Sequence, residues 1–497
     1  MDIILVEKDA FVDNFGRQRI FHGVNMVFKG TDRPGADRKS YVPDWSEADF
    51  KQLADDGFNA IRLGLIWDAL EPEPGVYSED YLDWIRQMLD LCQDAGLYVM
   101  LDMHQDLYSA SYSDGAPEWA TLSDKTFQPA EVWSHAYLFS AAVQESLDAF
   151  WGNAKAEDGA SLQEHYSAMW SELARQFAHH PALLGYDFFN EPVPGSISSI
   201  IFEELMTRLA TMVSERDGKQ ITVKEAAAML DHPEKAGSLF KELDNKEQYH
   251  QFVSAAQECV TSFDRQVLNP FYNRITHAIR SMSNRGIIFR ENSYFSNMGA
   301  ACMADPVRWR GQHEPLQAFA PHGYDLVTDT DHLSQASNTR IDYIFDQHRQ
   351  TQQRLQVPVI VGEWGAFYNH DGRIKEHGRY ITRLFERYQW SDLYWSYQDN
   401  WQNTPARDLL RRPYAKATAG RITSQETDWQ NCHFKMTWQG DPSCSAPTVI
   451  YLPEQIKSVS LIKGSPSSML PSDHWTWQDQ HLFIPVSAKQ HRLEVTF

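Results

Sequence analysis

Several features that mark whole classes of proteins are missing from this chain of 497 residues. It has no run of the roughly 18–20 apolar residues that a membrane-spanning helix needs. Positive charge is in the minority, with 45 Lys and Arg against 67 Asp and Glu, so the net charge is −22. Nucleic acid phosphates and anionic membrane surfaces repel such a chain. We therefore expect no nucleic acid partner and no stable membrane insertion, while the oligomeric state is left open.

Cysteine is also scarce, with five residues scattered over the chain. A small, odd number of cysteines is typical of a reducing compartment. Cys432 and Cys444 are near enough in sequence to pair, but two free thiols are the favoured interpretation. No Cys/His cluster has the spacing of a zinc site, so no metal centre is predicted.

The first residues lack the pattern of a secretory signal. Residues 1–9 contain no basic segment followed by a long apolar core. This predicts a cytoplasmic location, or a secreted protein whose leader has been removed.

Aromatic residues are abundant, at 13% of the chain, with 16 Trp and 21 Tyr. The apolar faces of sugar rings stack on indole rings, so this composition suits a carbohydrate-binding protein. A large barrel with an aromatic core explains the same composition, and composition alone favours that second explanation.

Short apolar runs alternate along the chain with segments of helical periodicity, of which 80–95 is the clearest. Strand and helix repeated eight times is the pattern of an α/β protein of the (β/α)8 TIM barrel class. The runs predicted to be the barrel strands are 20–27, 58–65, 97–103, 183–189, 286–290, 317–322, 357–363 and 392–397.

The domain organisation is predicted from a change in the sequence pattern after residue 413. Residues 1–413 are assigned to a catalytic barrel with long insertions after strands 3 and 4. Residues 414–497 carry short alternating apolar runs separated by turn residues, which predicts a C-terminal antiparallel β-sandwich domain. Long insertions at a barrel rim commonly shape or cover the substrate groove. For the segment 203–246, packing on the outer wall is an equally good interpretation.

The features most informative about function are Glu191 and Glu363, each at the end of an apolar run. Functional residues in barrels lie at the C-terminal ends of the strands, where residues distant in sequence converge. Hydrolysis of a glycosidic bond requires two facing carboxyl groups, one acting as acid and the other as base or nucleophile. We therefore predict a glycosidase.

Other polar residues close the same strands. Arg62 lies within a buried run and needs a carboxylate partner, for which Glu363 and Asp102 are both candidates. Asn190 lies beside Glu191, where its amide can bind a sugar 2-hydroxyl. His104, His322, Tyr324 and Trp395 end further strands, either as pocket lining or as structural residues.

This set of residues resembles glycoside hydrolase family 5. The family has Arg, His, Asn-Glu, His-x-Tyr, Glu and Trp at successive strand ends, which correspond here to Arg62, His104, Asn190, Glu191, His322, Tyr324, Glu363 and Trp395. The resemblance implies a retaining β-glycosidase that needs no cofactor. It also implies that Glu191 is the acid/base and Glu363 the nucleophile, held ionised by Arg62 and Tyr324. Retention calls for carboxyl groups about 5–5.5 Å apart.

Further motifs resemble the endoglycoceramidase and glucosylceramidase branch of that family. They lie at 23–29, 102–106, 320–325, 411–414 and 446–453. This resemblance implies a glycolipid substrate. It also implies that Lys29, His104 and Asp106 bind sugar hydroxyls and that Trp133 stacks near the scissile bond. Without a secretory signal, it points to intracellular cleavage of simple glycolipids such as glucosylceramide.

Three alternatives stay open at this point. The enzyme could instead be a steryl-β-glucosidase or a β-glucanase that cleaves a polysaccharide. A polysaccharide calls for an open groove of sugar subsites, whereas a lipid calls for an apolar slot beside a short sugar pocket. A non-catalytic carbohydrate-binding barrel is disfavoured, since such a protein has no use for both glutamates.

Overall fold

A computed structural model describes residues 1–32, 39–230, 232–367, 372–463 and 475–497. Its centre is an eight-stranded parallel barrel, which confirms the predicted fold class. The barrel strands are β1 (His22–Val27), β2 (Ala60–Ile66), β3 (Tyr98–His104), β4 (Leu183–Asp187), β5 (Ile287–Arg290), β6 (Gln317–Phe319), β7 (Ile360–Val361) and β8 (Ser391–Tyr394).

The barrel strands follow one another around the sheet in the order 6-5-4-3-2-1-8-7. Single parallel bridges between residues 319 and 359 and between His322 and Glu363 connect β6 to β7 and close the circle. Strands β2 and β3 are buried along their whole length. This burial on both faces explains their nearly continuous apolar sequence.

Helices surround the barrel and occupy its insertions. The helix predicted at 80–95 is observed at Glu79–Ala95, where Ser78 caps its start and Gly96 ends it at φ 76°. The α-helices of the described residues are Glu47–Asp55, Trp67–Leu70, Glu79–Ala95, Ala136–Phe139, Ala141–Trp151, Leu162–Phe177, Ile197–Asp217, Val223–Leu230, Pro233–Glu242, Lys246–Val253, Gln257–Phe263, Asn269–Met282, Asn338–Leu355, Gly372–Tyr388 and Pro405–Leu410. None of them is long and apolar enough to cross a membrane.

An N-terminal hairpin covers the floor of the barrel. Its strands Ile4–Glu7 and Ala10–Asp13 pair antiparallel. Phe11 packs between Phe21 and Phe289, with ring centroids 5.4 Å and 6.4 Å away. The hairpin therefore seals the end of the barrel opposite the carboxyl ends of its strands.

The C-terminal residues form two antiparallel sheets around a separate apolar core, as the predicted sandwich requires. Their strands are Tyr414–Thr418, Gly420–Asp428, His433–Gly440, Thr448–Tyr451, Ser458–Lys463, Thr476–Gln478, His481–Ile484 and Gln490–Thr496. Cys432 and Cys444 are both free.

The sandwich also includes the start of the chain, which the predicted boundary at 413 assigns to the barrel alone. Gln18 and Arg19 pair with Thr418 and Ala417, so the N-terminal hairpin joins the seven-stranded C-terminal sheet. The polar segments at 18–19 and 420–428 lack a strong apolar alternation. They become strands because neighbouring strands supply their hydrogen-bond partners.

Candidate active site

The two predicted carboxylates meet at the C-terminal end of the barrel. Glu191 follows β4, and Glu363 follows β7. One carboxylate oxygen of each lies within 4.8 Å of the other and of a ring nitrogen of His322. Both residues are more than nine-tenths buried. This proximity belongs to the short-separation geometry of retaining glycosidases rather than to the wider inverting one.

Arg62 lies under this pair as the centre of a buried polar network. Its guanidinium contacts Glu363 at 2.6 Å and Asn190 at 2.9 Å. It also forms ion pairs of 2.7–2.9 Å with Asp102, Asp187 and Glu291. Both partners proposed from the sequence, Glu363 and Asp102, are therefore observed. Arg62 supplies a fixed positive charge directly behind Glu363.

Glu363 receives two further contacts. The Tyr324 hydroxyl donates a hydrogen bond of 3.0 Å to its Oε2. A ring nitrogen of His322 lies 3.6 Å from the same oxygen. Burial raises the pKa of Glu363 to about 7, although His322 and Arg62 act to lower it. The network lowers the free-energy cost of burying the charge of Glu363 but does not abolish that cost.

Glu191 has different contacts, although the charges of Arg62 and Lys29 act to lower its pKa. Asn297 donates to its Oε1 at 2.7 Å, and His322 Nδ1 lies 3.0 Å from that oxygen. Burial, followed by the negative charge of Asp106, raises the pKa of Glu191 to about 8. Glu191 therefore holds its proton to a higher pH than Glu363 does. That order matches the acid and nucleophile roles that the resemblance implied.

His322 lies between the two glutamates, three residues after the end of β6. Burial lowers the pKa of its imidazole to about 4. The ring is thus neutral at physiological pH and carries a proton on one nitrogen only. It orients both carboxyl groups without neutralising either of them.

A polar subsite lies beside the pair. Lys29 forms an ion pair with Asp106, and its Nζ is 5.1 Å from the centre of the Trp395 ring. His104 stacks on Trp395 at 5.3 Å and 14° between planes. Among the described residues, none forms a hydrogen bond with the buried Nε2 of His104. An aromatic ring beside polar side chains is suited to a sugar ring.

Trp133 lies at the rim of this subsite. Lys29 Nζ is 5.7 Å from its ring centre, and the side chain also contacts Asp329. The Trp133 side chain is 39% exposed. It therefore remains available to a ligand in the cleft.

The same cleft also has an apolar part of its lining, which we call the slot. The whole cleft has a volume of about 730 Å³. Helix Ile197–Asp217 supplies three of the eight slot residues, so part of the 203–246 insertion lines the cleft and is not outer-wall packing. The slot residues are Leu138, Phe202, Leu205, Met206, Phe252, Phe295, Met298 and Leu326.

Every residue predicted for the site lies in or directly behind this cleft. Sequence reasoning missed a layer of buried partners beneath it. Glu291 is the clearest example, since it directly follows a predicted strand and the strand-end argument applies to it as well. The other missed buried partners are Asn25, Asp114 and Asp187. Asn297 and the exposed Asp329, which line the cleft itself, were also missed.

Ligand-type side chains cluster at three places in the described site, around Glu191, around Asp106 and around Asp187. Lys29 and Arg62 already bring a positive charge into the last two clusters. We therefore assign no metal ligand among these residues.

Comparison with known proteins gives relatives for both parts of the chain. The family model "Cellulase (glycosyl hydrolase family 5)" matches residues 22–401, and the family 5 C-terminal domain matches 412–495. An endoglycoceramidase of Cyanea nozakii is 34% identical over 220 residues, covering 38% of this chain and 42% of that protein. A glucosylceramidase of Aspergillus fumigatus is 28% identical over 265 residues, covering 41% of this chain and 35% of that one. These curated relatives are thus matched over less than half of their length.

The fold also matches solved structures over nearly the whole chain. The structure of endo-glycoceramidase II from Rhodococcus sp. with a cellobiose-like imidazole has a TM-score of 0.72 and 25% identity, covering 99% of each chain. The family 5 model spans most of the barrel and both glutamates lie within it. On this evidence, the chain belongs to glycoside hydrolase family 5.

Proposed function

We propose that this protein hydrolyses the β-glycosidic bond between a sugar and a ceramide-like lipid, with retention of anomeric configuration. The observation that carries the proposal is the lining of the cleft that contains the two glutamates. Polar residues such as Lys29 and His104 line this cleft together with apolar residues such as Leu205 and Met206. A glycolipid has this division of polarity at its scissile bond, whereas a polysaccharide has sugars on both sides.

The first step forms a covalent intermediate. The Glu363 carboxylate attacks the anomeric carbon while Glu191 gives its proton to the departing oxygen of the lipid. The carbon–oxygen bond to the lipid breaks as the ester bond to Glu363 forms. Arg62 and Tyr324 hold Glu363 in line for this attack.

The second step uses the same groups in reverse. Esterification removes the negative charge of Glu363, so the pKa of Glu191 falls. Glu191 then accepts a proton from water, and the hydroxide oxygen displaces Glu363 from the anomeric carbon. The sugar leaves with its original configuration, and Glu191 is protonated again.

The similarity of relatives named endoglycoceramidase and glucosylceramidase supports this choice of substrate. An ergosteryl-β-glucosidase of Saccharomyces cerevisiae is also similar, at 38% identity over 110 residues, covering 21% of this chain and 14% of that one. A sterol would equally fill an apolar slot. The steryl glucoside therefore remains the second candidate.

The test is hydrolysis of fluorescent glucosylceramide, an oligosaccharide ceramide and a steryl glucoside, with Glu363→Gln as blank. We expect free ceramide from glucosylceramide, and no action on carboxymethyl cellulose. Release of intact oligosaccharide would mean a sugar cleft open to several residues. Preference for the steryl glucoside would replace the ceramide assignment, and cleavage of cellulose alone would reject the glycolipid proposal.

A further inference from the structure

Glu291 contacts groups that hold both catalytic glutamates in place, but it does not line the cleft. It directly follows β5 and is 1% exposed. Its Oε2 accepts the backbone N–H of Glu191 at 2.8 Å. Its Oε1 lies 2.7 Å from Nη2 of Arg62 and 3.4 Å from Nε2 of His322. One carboxyl group thus connects the chain around Glu191 to the cation behind Glu363.

The backbone contact matters because Glu191 has a left-handed conformation, with φ 45°. A non-glycine residue is rarely found there and needs its surroundings to hold it. The bond from the Glu191 N–H to Glu291 is one such restraint. It fixes the direction in which the Glu191 side chain leaves the backbone.

The carboxyl groups around Arg62 limit the protonation state that Glu291 can have. Carboxyl groups of Asp102, Asp187, Glu291 and Glu363 all lie 2.6–2.9 Å from this single guanidinium. Oxygens of the first three lie within 4.8 Å of one another. Like charges at such separations do not all ionise in a buried site. Within the part of the chain that the structure describes, no N–H group or alcohol hydroxyl donates to the buried Oδ1 of Asp187.

We propose that Glu291 is a positioning residue, which as a neutral acid donates its proton to Asp187 and holds Arg62 and the Glu191 backbone in place. Through these contacts it sets the separation of the two catalytic carboxyl groups. Burial, and then the charge of Asp187, raises the pKa of Glu291 well above its ordinary value. This inference rests on the proposed glycosidase function for its kinetic consequences.

Glu291→Gln is the informative variant because it keeps the size of the side chain. Both oxygens of Glu291 accept N–H groups, and an amide retains only one oxygen. The matched control is Glu386→Gln. Glu386 is 3% exposed and also accepts a backbone N–H, from Thr427, but it lies against the C-terminal domain.

The kinetic test compares two soluble aryl β-glucosides, one with a good leaving group (2,4-dinitrophenol) and one with a poor one (phenol). Only the poor leaving group depends strongly on the proton from Glu191. We expect Glu291→Gln to lower kcat/KM, which reports the first step, about 100-fold for phenyl glucoside and no more than about tenfold for the dinitrophenyl glucoside. The alkaline limb of the pH profile should shift as well. Glu386→Gln should keep the wild-type ratio of the two rates.

Equal losses of activity on the two substrates would mean that Glu291 has only a structural role. The same conclusion would follow if Glu291→Gln and Glu386→Gln had the same ratio of the two rates. Either result would overturn the proposal. Activity on aryl glucosides without activity on glucosylceramide would reject the proposed substrate and leave this comparison valid. The protonation itself is measured without substrate, by infrared spectroscopy in D2O at neutral pH. Glu291→Gln should lose the carbonyl band of a buried carboxylic acid, and an unchanged band would contradict the neutral state.

Discussion

At the scale of single residues, the geometry of the site makes activity depend on two protonation states at once. Glu363 must be ionised to attack, and its pKa is raised to about 7. Glu191 must be protonated to donate, and its pKa is raised to about 8. Falling pH protonates Glu363, whereas rising pH deprotonates Glu191. We therefore expect a narrow bell-shaped dependence of kcat/KM on pH, with limbs near these two values.

Tyr324→Phe tests the acidic limb of that profile. The Tyr324 hydroxyl stabilises the ionised form of Glu363, so its removal should raise the pKa of Glu363 further. The acidic limb should move to higher pH while the alkaline limb stays, and kcat should fall. A profile that moves at its alkaline limb alone would mean that the roles of the two glutamates are exchanged.

Sequence reasoning found the residues of this site that end apolar runs and face the cleft. Glu191, Glu363, His322 and Trp395 are polar or aromatic residues at or just after the end of a strand, a position visible in the sequence. It did not find the layer beneath. Asp187, for example, lies inside a predicted strand, where its ion pair with Arg62 gives no local signal. Partners that depend on tertiary contacts alone cannot be identified from one sequence.

At the scale of elements, the strands were predictable because burial on both faces gives continuous apolar runs. The ends of the strands were less predictable, since β7 contains only Ile360 and Val361 of the predicted run 357–363. The insertions were harder still. Helix Ile197–Asp217 carries few signs of its role, because both its slot face and the face that packs on neighbouring insertion helices are apolar.

That helix gives a prediction about the lipid. Phe202 is only partly buried and lines the slot, so Phe202→Ser removes apolar contact without opening the core. We expect the KM for glucosylceramide to rise about tenfold, the equivalent of ~1.4 kcal/mol of lost burial. The kcat/KM for a soluble aryl glucoside should not change.

The control for Phe202→Ser is Val223→Ser, which alters an exposed apolar residue on the next helix of the same insertion. It should affect neither substrate. A loss of activity on the soluble glucoside in Phe202→Ser would place this side chain near the sugar, against the assigned slot.

At the scale of the whole molecule, exposed apolar side chains lie near the slot residue Phe202. Phe139 and Ile200 are 58% and 52% exposed. The ring of Phe139 packs against Phe202 at 5.1 Å, and Ile200 lies two residues before Phe202 on the same helix. With a net charge of −22, the protein should approach lipid through such apolar contacts rather than through charge attraction.

We expect the double change Phe139→Ser with Ile200→Ser to slow hydrolysis of glucosylceramide in neutral vesicles several-fold. Hydrolysis of the same lipid in detergent micelles should stay near the wild-type rate. Met282→Ser, an exposed apolar residue outside the cleft lining, is the control. Equal effects of the two variants on vesicles, or strong salt-sensitive binding to anionic vesicles, would contradict this mode of approach.

The two domains are joined by more than their connecting segment. Gln18–Arg19 pairs with Tyr414–Thr418, and Ile20 belongs to the apolar core of the sandwich. A chain ending at residue 413 would expose Ile20 and leave the strand at 18–19 paired on one side only, with Ala10–Asp13. We expect this truncation to accumulate as insoluble protein, as sedimentation after lysis would show. A soluble, active fragment would mean that the barrel is stable by itself.

The pairing of the two ends also sets the timing of folding during synthesis. The hairpin that seals the barrel floor leaves the ribosome well before the strand that anchors it, Tyr414–Thr418. That strand follows about 400 residues later, or at least 20 seconds at about 5–20 residues per second. During that interval the apolar floor has only part of its cover. Chaperone dependence should therefore be greatest before Tyr414–Thr418 is translated, and slow codons just upstream of this strand would prolong it.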